Sequence, residues 1–300
     1  MLAIVIPYFK KKYFFECLAS LASQTDKNFN VYIGDDASPE DPSDIIYKFQ
    51  DSLNIIYYKF DENFGSKSLT KQWDRCINLI KDEKWIMILG DDDYIGANCI
   101  EEFYKNVEKI DKLNIKVVRY ATRVIRMETG KISSLYTHPE IEKATDFFFR
   151  KFLRGSRGSL SEQIFHRDNY QKYGFRDFPL GWGADNFAWL DFTEFGNIYT
   201  INSGTVYFRF SNFNISRGGY ESDLKYETKY YYFTLIISKY LRKFRKDQRL
   251  ELLRFYELIV QNSDKVRINY ILKMFSTYLK EGYFIQALKF LRRLIVSKLD

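Results

Sequence analysis

Through its first 110 or so residues the chain repeats one pattern, a short apolar run of strand length followed by a longer segment with one apolar face. The runs are LAIVIP at 2–7, NVYIG at 30–34, NIIYYK at 54–59 and WIMIL at 85–89. Between them apolar residues return at helical spacing: Phe14, Phe15, Leu18, Leu21 and Ala22 within 13–23, a helix opened by Pro42 over 42–50, Trp73, Ile77 and Ile80 beyond the turn DENFGS, and a helix over 98–110. Such alternation predicts strands joined by helical crossovers, an α/β fold with a mostly parallel central sheet and helices on both faces. With 46% hydrophobic and 18% aromatic residues among 300, the chain has the apolar surface for that core, which excludes a disordered protein.

Polar residues gather where the strands end: Pro7 and Tyr8, then Asp35 and Asp36, then Asn63 and Gly65, then Asp91, Asp92 and Asp93. The carboxyl ends of an open parallel sheet line its ligand crevice, so these four segments are expected on one rim. Three adjacent carboxylates repel one another and are costly to remove from water. A divalent cation with hard-oxygen preference, Mn²⁺ or Mg²⁺, shared with a diphosphate, would compensate them. Solvated groups at the start of the following helix would also account for them. The second acidic strand end, DDASPED, offers carboxylates and Ser38 to a nucleoside, or forms a turn before the Pro42 helix. Two acidic strand ends about 55 residues apart in one βαβ pattern favour the ligand reading.

After residue 116 the pattern changes. VVRYATRVI and KISSLY, joined by ETGK, predict a hairpin; a Phe-rich helix over 143–153, a Gly/Ser loop GSRGSLS, a short strand EQIFH and two strands near 198–201 and 206–210 follow. From about residue 223 the chain reads as helices with short turns. The expected division is a main domain over 1–220, its nucleotide-binding half about 1–115 and its second half about 116–220, and a basic helical region over 221–300.

The blocks IVIPYF, CLASLASQT, NVYIGDDASPED, NFG and WIMILGDDDYIGA, in this order and spacing, resemble those of inverting glycosyltransferase family 2, whose fold is GT-A, over roughly residues 2–217. The resemblance implies that Pro7 and Tyr8 border the nucleotide base, Asp36 holds it, and Ser38, Asn63 and Gly65 lie beside the nucleotide. It implies Asp91 near the ribose or phosphate, Asp92 as principal metal ligand and Asp93 assisting it. Phe9, Lys10, Gly90 and Ala97 depart from the usual blocks. The block FRFSNFNIS at 208–216 resembles the segment that closes over the diphosphate, with Arg209 as its phosphate contact; a surface arginine is the plainer reading.

Inverting transfer also needs one carboxylate to deprotonate the acceptor hydroxyl, whereas a glycosidase needs a flanking pair and no nucleotide site. GWGADNFAW supplies Asp185, which in the family pattern is the base of a Glu-Asp dyad, with Ala184 in place of the usual Glu. Without that pattern Asp185 reads as a helix cap. Trp182 and Gly183 are the acceptor-side candidates, Trp182 as a sugar platform or as packing. His138 and His166 lack spaced partners and read as ordinary surface or turn residues.

The chain carries a net charge of +7, unevenly distributed. From residue 225 onward seventeen Lys/Arg face seven Asp/Glu, a net of +10, which leaves −3 on the first 224 residues. The tail therefore reads as a helical bundle with a solvated cationic face, or as helices lying on an anionic membrane. Nucleic acid is not expected, since no such motif accompanies the charge. Cys17, Cys76 and Cys99 are isolated and outside any CxxC or His/Cys spacing, which fits a reducing cytoplasm rather than a disulfide framework or zinc site. The first apolar run is too short for a signal peptide, and no run reaches the roughly 18–20 residues of a membrane span. The expectation is a cytoplasmic, metal-dependent enzyme, peripheral to the inner face of the membrane, that moves a sugar from a nucleotide-diphosphate sugar, UDP above others, to a glycan or lipid-linked acceptor. A non-catalytic sugar-nucleotide or glycan-binding module is the rival. A nucleotidyltransferase would carry a Gly-rich, cationic loop after the first strand, which is missing here.

Overall fold

The computed structural model describes residues 1–211, 222–261 and 268–296. It divides into two compact units, Met1–Tyr220 and Glu221–Asp300. In the first, four strands, β1 (Leu2–Tyr8), β2 (Phe29–Asp35), β3 (Ile55–Lys59) and β4 (Trp85–Ile88), alternate with α1 (Phe14–Ala22), α2 (Ser43–Phe49) and α3 (Leu69–Ile77). All their mutual pairings are parallel, in the order β3-β2-β1-β4. Leu2, Ala3, Ile4, Val5 and Ile6 are all fully buried, although alternate residues of a strand point to opposite faces, so both faces of β1 are covered. Each such aliphatic side chain contributes about 1.5–3 kcal/mol.

The chain then crosses to the other half through β5 (Tyr94–Ile95), α4 (Cys99–Lys112), β6 (Val117–Arg126), β7 (Lys131–Ile132), β8 (Ile141–Lys143), α5 (Ala144–Leu153), β9 (Gln163–His166), α6 (Arg167–Tyr173), α7 (Ala184–Phe192) and β10 (Asn197–Phe210). The sheet continues β4-β9-β6-β10-β5, with β7 on β6 and β8 on β10. Strand β9 runs antiparallel to β4 and β6, while β10 is parallel to β6. Consequently the carboxyl ends of β1, β2, β3, β4, β6 and β10 and the amino end of β9 share one rim. The strand order reverses between β1 and β4, which makes their ends a topological switch point.

Two expectations change. The two predicted strands at 198–201 and 206–210 are one strand, β10, interrupted where Ile201 pairs with Tyr120 but Thr205 with Ala121. This bulge carries Gly204 against the Tyr120 ring, where an added Cβ would sit 2.6 Å from a ring carbon. His138 is buried rather than superficial, its Nδ1 3.0 Å from Arg150. The hairpin forms, but its second strand is only Lys131–Ile132.

The second unit contains α8 (Ser222–Leu235), a π-turn, a 3-10 turn, α9 (Lys246–Gln261), α10 (Ile268–Lys280) and α11 (Phe284–Val296). It has its own core, including Phe233, Leu252, Met274, Tyr278 and Phe290, and a buried Glu257 held by Arg293. The tail is therefore helical, as expected. Its outer surface nonetheless exposes Leu272, Phe284, Ile285 and Leu288. Among the described residues no helix is long and apolar enough to cross a membrane.

Candidate active site

At the switch point Asp91 stitches two strand ends together. Its Oδ2 accepts hydrogen bonds from the backbone N–H groups of Phe9 and Lys10, both at 2.8 Å. Asp93 is buried, with Oδ1 accepting from the Arg209 N–H at 2.8 Å and Oδ2 from the Ser161 hydroxyl. Asp92 lies between them, its carbonyl accepting from Arg209 Nη1 at 2.7 Å. Burial, followed by the neighbouring Asp92 charge, pushes the Asp91 carboxyl up to about 7. The same causes in the same order raise Asp93 well above the carboxylate range. Burial and mutual repulsion thus both disfavour charge on this triplet, a condition that a hard cation relieves. Among the described residues no group of three or more His, Cys, Asp or Glu side chains is set to enclose a metal unaided. The donor set fits a Mg²⁺- or Mn²⁺-type ion that takes one or two protein carboxylates and draws its remaining oxygens from substrate and water.

The loops after β2 and β3 form the neighbouring wall. Asp36 accepts from the N–H groups of Phe64 at 2.7 Å and Gly65 at 2.9 Å, and pairs with Arg75, whose guanidinium lies 3.9 Å from the Phe60 ring centre. Burial still raises Asp36, against the pull of those donors. Gly65 is required here because an added Cβ would stand 2.5 Å from Asp36 Oδ2. Asn63 caps the same turn by accepting from the Ser66 N–H at 2.8 Å. Ser38 donates to the Phe9 carbonyl at 2.7 Å and Asp35 accepts from Tyr57, so the β1, β2 and β3 ends are knitted together. Tyr8 is fully buried, its hydroxyl donating to the Glu40 carbonyl and its ring against Phe14. Pro7 pairs with Gly34 in the strand register beside it.

Asp185 sits in the first turn of α7 behind Gly183, whose φ of 84° is left-handed. Gly183, not Asp185, is the N-cap, and no side-chain cap bond forms, so the cap reading of Asp185 is not what its contacts follow. Its carboxylate lies 3.5 Å from Lys151 Nζ on α5 and accepts from Asn186 Nδ2 at 2.9 Å. Its surroundings connect on one side to the 65–70 segment beside Asp36 and on the other to the loop that holds Asp93. Gly181 abuts Leu69, which also flanks Gly65, and Asp177 accepts from Ser68 and Thr70 at 2.7 and 2.8 Å. On the other side Gly158 packs on Lys151, three residues before the Ser161 that holds Asp93. Trp182 is half-buried.

Arg209 is nearly buried, stacked over Tyr13 at 4.5 Å and Tyr94 at 5.0 Å, and is no surface arginine. Residues 212–216 of its block lie outside the described residues. Sequence reasoning missed Arg75, Lys151 and Ser161. None has a motif of its own: Arg75 stands on α3, Lys151 on α5 and Ser161 in the loop before β9. A 440 Å³ depression lined by Met1, Asn30, Leu53 and Asn54 lies at the opposite, amino ends of β1–β3 and holds none of the predicted site residues.

A parallel nucleotide-type half continued by a mixed half, with carboxylates at the switch point, is the architecture of a GT-A glycosyltransferase. The family model "Glycosyl transferase family 2" matches residues 3–174, and the chain belongs to that family. Glycosyltransferase GlyG of Streptococcus pneumoniae serotype 4 (strain ATCC BAA-334 / TIGR4) is 29% identical over 112 residues, 37% of this chain and 36% of GlyG. The match thus spans about a third of the curated relative's length. S. aureus TarS 1-349, solved in complex with UDP-GlcNAc, superposes with a TM-score of 0.66 at 18% identity over 95% of this chain and 81% of that one. A longer TarS structure superposes with a TM-score of 0.62 at 17% identity, over 95% of this chain and 49% of its own length.

Proposed function

We propose that the chain is a metal-dependent, inverting glycosyltransferase that moves a sugar from a nucleotide-diphosphate sugar, a UDP-sugar foremost, to a hydroxyl of a glycan or lipid-linked acceptor. The observation that carries this reading is the meeting of Asp91, bonded to the Phe9 and Lys10 N–H groups, and Asp93, bonded to Ser161 and the Arg209 N–H, at the β1–β4 switch point, in a chain of glycosyltransferase family 2. The UDP-GlcNAc held by the fold neighbour supports the choice of donor.

In the proposed reaction Asp185 accepts the proton of the acceptor hydroxyl as its oxygen bonds to the anomeric carbon and the bond to the diphosphate breaks. Lys151, 3.5 Å away, holds the Asp185 carboxylate in place. Asp92, with Asp93 beside it, would hold Mn²⁺ or Mg²⁺, which when bound supplies positive charge to the leaving diphosphate. Asp36 and the 63–65 turn shape the base pocket, with Ser38 and Tyr8 fixing the loops that border it. Trp182 and Gly183 face the acceptor. The exposed apolar and cationic surface of α10 and α11 suits peripheral contact with an anionic membrane, where a lipid-linked acceptor is presented.

Asp185→Asn is the test. Transfer falls by about 10²–10⁴-fold, while the Mn²⁺-dependent thermal shift produced by UDP persists. Undiminished turnover removes the base, and absence of any nucleotide-diphosphate shift in the unaltered protein removes the transferase reading itself.

A further inference from the structure

The loop between α5 and β9 holds an arginine that the reading above leaves without a task. Arg157 has its Nε and Nη2 atoms buried with no hydrogen-bond partner. A buried guanidinium with unmet donors is costly, because it has lost water without gaining acceptors. The side chain is nevertheless fixed, its guanidinium carbon 4.0 Å from the centre of the Phe208 ring. Phe208 and Arg209 are successive residues of β10 and point to opposite faces, so the two arginines approach from either side of that strand. Arg157 is close enough to Asp93 to favour that carboxylate's charge, and its neighbour Gly158 packs on Lys151, the partner of Asp185. Arg157 thus adjoins Asp93 and, through Gly158, the lysine paired with the proposed base.

We propose that Arg157 is a substrate-binding residue whose unpartnered Nε and Nη2 take oxygens of the donor's outer phosphate, the one bonded to the transferred sugar. Two parallel N–H groups on one planar fork match two phosphoryl oxygens, and charge-assisted bonds of this kind are the strong ones. The Phe208 ring keeps the fork in plane before the ligand arrives, which reduces the ordering cost of binding. The inner phosphate and nucleoside are left to the β1–β4 side of the site. This inference rests on the transferase reading.

The experiment uses the full chain with Mn²⁺ and compares UDP with UMP, which lacks the outer phosphate. In the Arg157→Gln variant the Kd for UDP rises about tenfold or more, while the Kd for UMP stays within about twofold. Arg157→Lys keeps the charge and the stem over Phe208 but not the fork, and guards against a failure to fold. It retains the unaltered protein's melting temperature and loses about threefold on UDP alone. UDP and UMP weakened alike, or neither weakened in both variants, would make Arg157 a structural counter-charge for Asp93 and overturn the proposal. Unaltered protein that binds neither nucleotide defeats the transferase reading instead, which keeps the two failures apart.

Discussion

Asp91 accepts two backbone N–H groups and yet titrates near 7, because burial and the adjacent Asp92 outweigh those donors. A carboxyl raised in the folded state above its unfolded value of about 3.9 holds its proton more tightly when folded. Its contribution is complete below pH 4 and is lost as pH climbs through 7. His138 works oppositely: burial, then Arg119 and Arg150, depress it to about 3, so it favours folding as pH rises toward its unfolded value. Asp91→Asn keeps an acceptor oxygen for Phe9 and Lys10 and leaves His138 untouched. The melting temperature of that variant should exceed the parent's by a margin that grows by roughly 5 °C between pH 5 and pH 8, measured without metal or nucleotide. A constant margin would mean Asp91 ionises normally.

Among the elements, β10 contributes most to the site for the least sequence signal. Its residues read as two short strands because Asn202, Ser203 and Gly204 interrupt the apolar pattern, whereas the backbone continues through them as a bulge. Gly204→Ala would press a methyl group into Tyr120 and should cost about 1–3 kcal/mol, read as a drop in denaturation midpoint. An unchanged midpoint would show the ring has room to move. The parallel half was legible because each of its strands ends in a polar cluster and its periodicities are clean. Asp36 and Asp91–Asp93 could be found on that basis, whereas Asp185 behind its Gly-Trp-Gly turn was marked only through the family resemblance. Arg75, Lys151, Ser161 and Arg157 could not, since pairing a lone cation or hydroxyl with a carboxylate 34 to 68 positions away requires the fold. The predicted strand-end rim did name Tyr8, but not that its ring is fully buried and turns inward to Phe14.

At the scale of the whole molecule, charge and apolar exposure coincide on the C-terminal helices. The first 224 residues are net −3, while residues 225–300 carry +10. Phe284, Ile285 and Leu288 are 64–68% exposed on α11, near Lys289 and Arg292. Full-length protein should therefore co-sediment with vesicles containing anionic lipid, less so as salt is raised, and a chain ending at residue 219 should not. Equal sedimentation of both would assign the exposed surface to something other than a bilayer. This unit has its own core, in which Glu257 accepts from Arg293 and Tyr278.

The interruption in β10 carries one more implication, for length rather than identity. Adjacent residues Tyr120 and Ala121 on β6 face Ile201 and Thr205, so three residues are looped out and the in-out parity of everything downstream is inverted. Arg209 meets the acid triplet, and Phe208 meets Arg157, only in that inverted frame. Substitutions at 202 and 203 leave the frame intact; gaining or losing a single residue there would turn both side chains to the wrong face of the sheet at once.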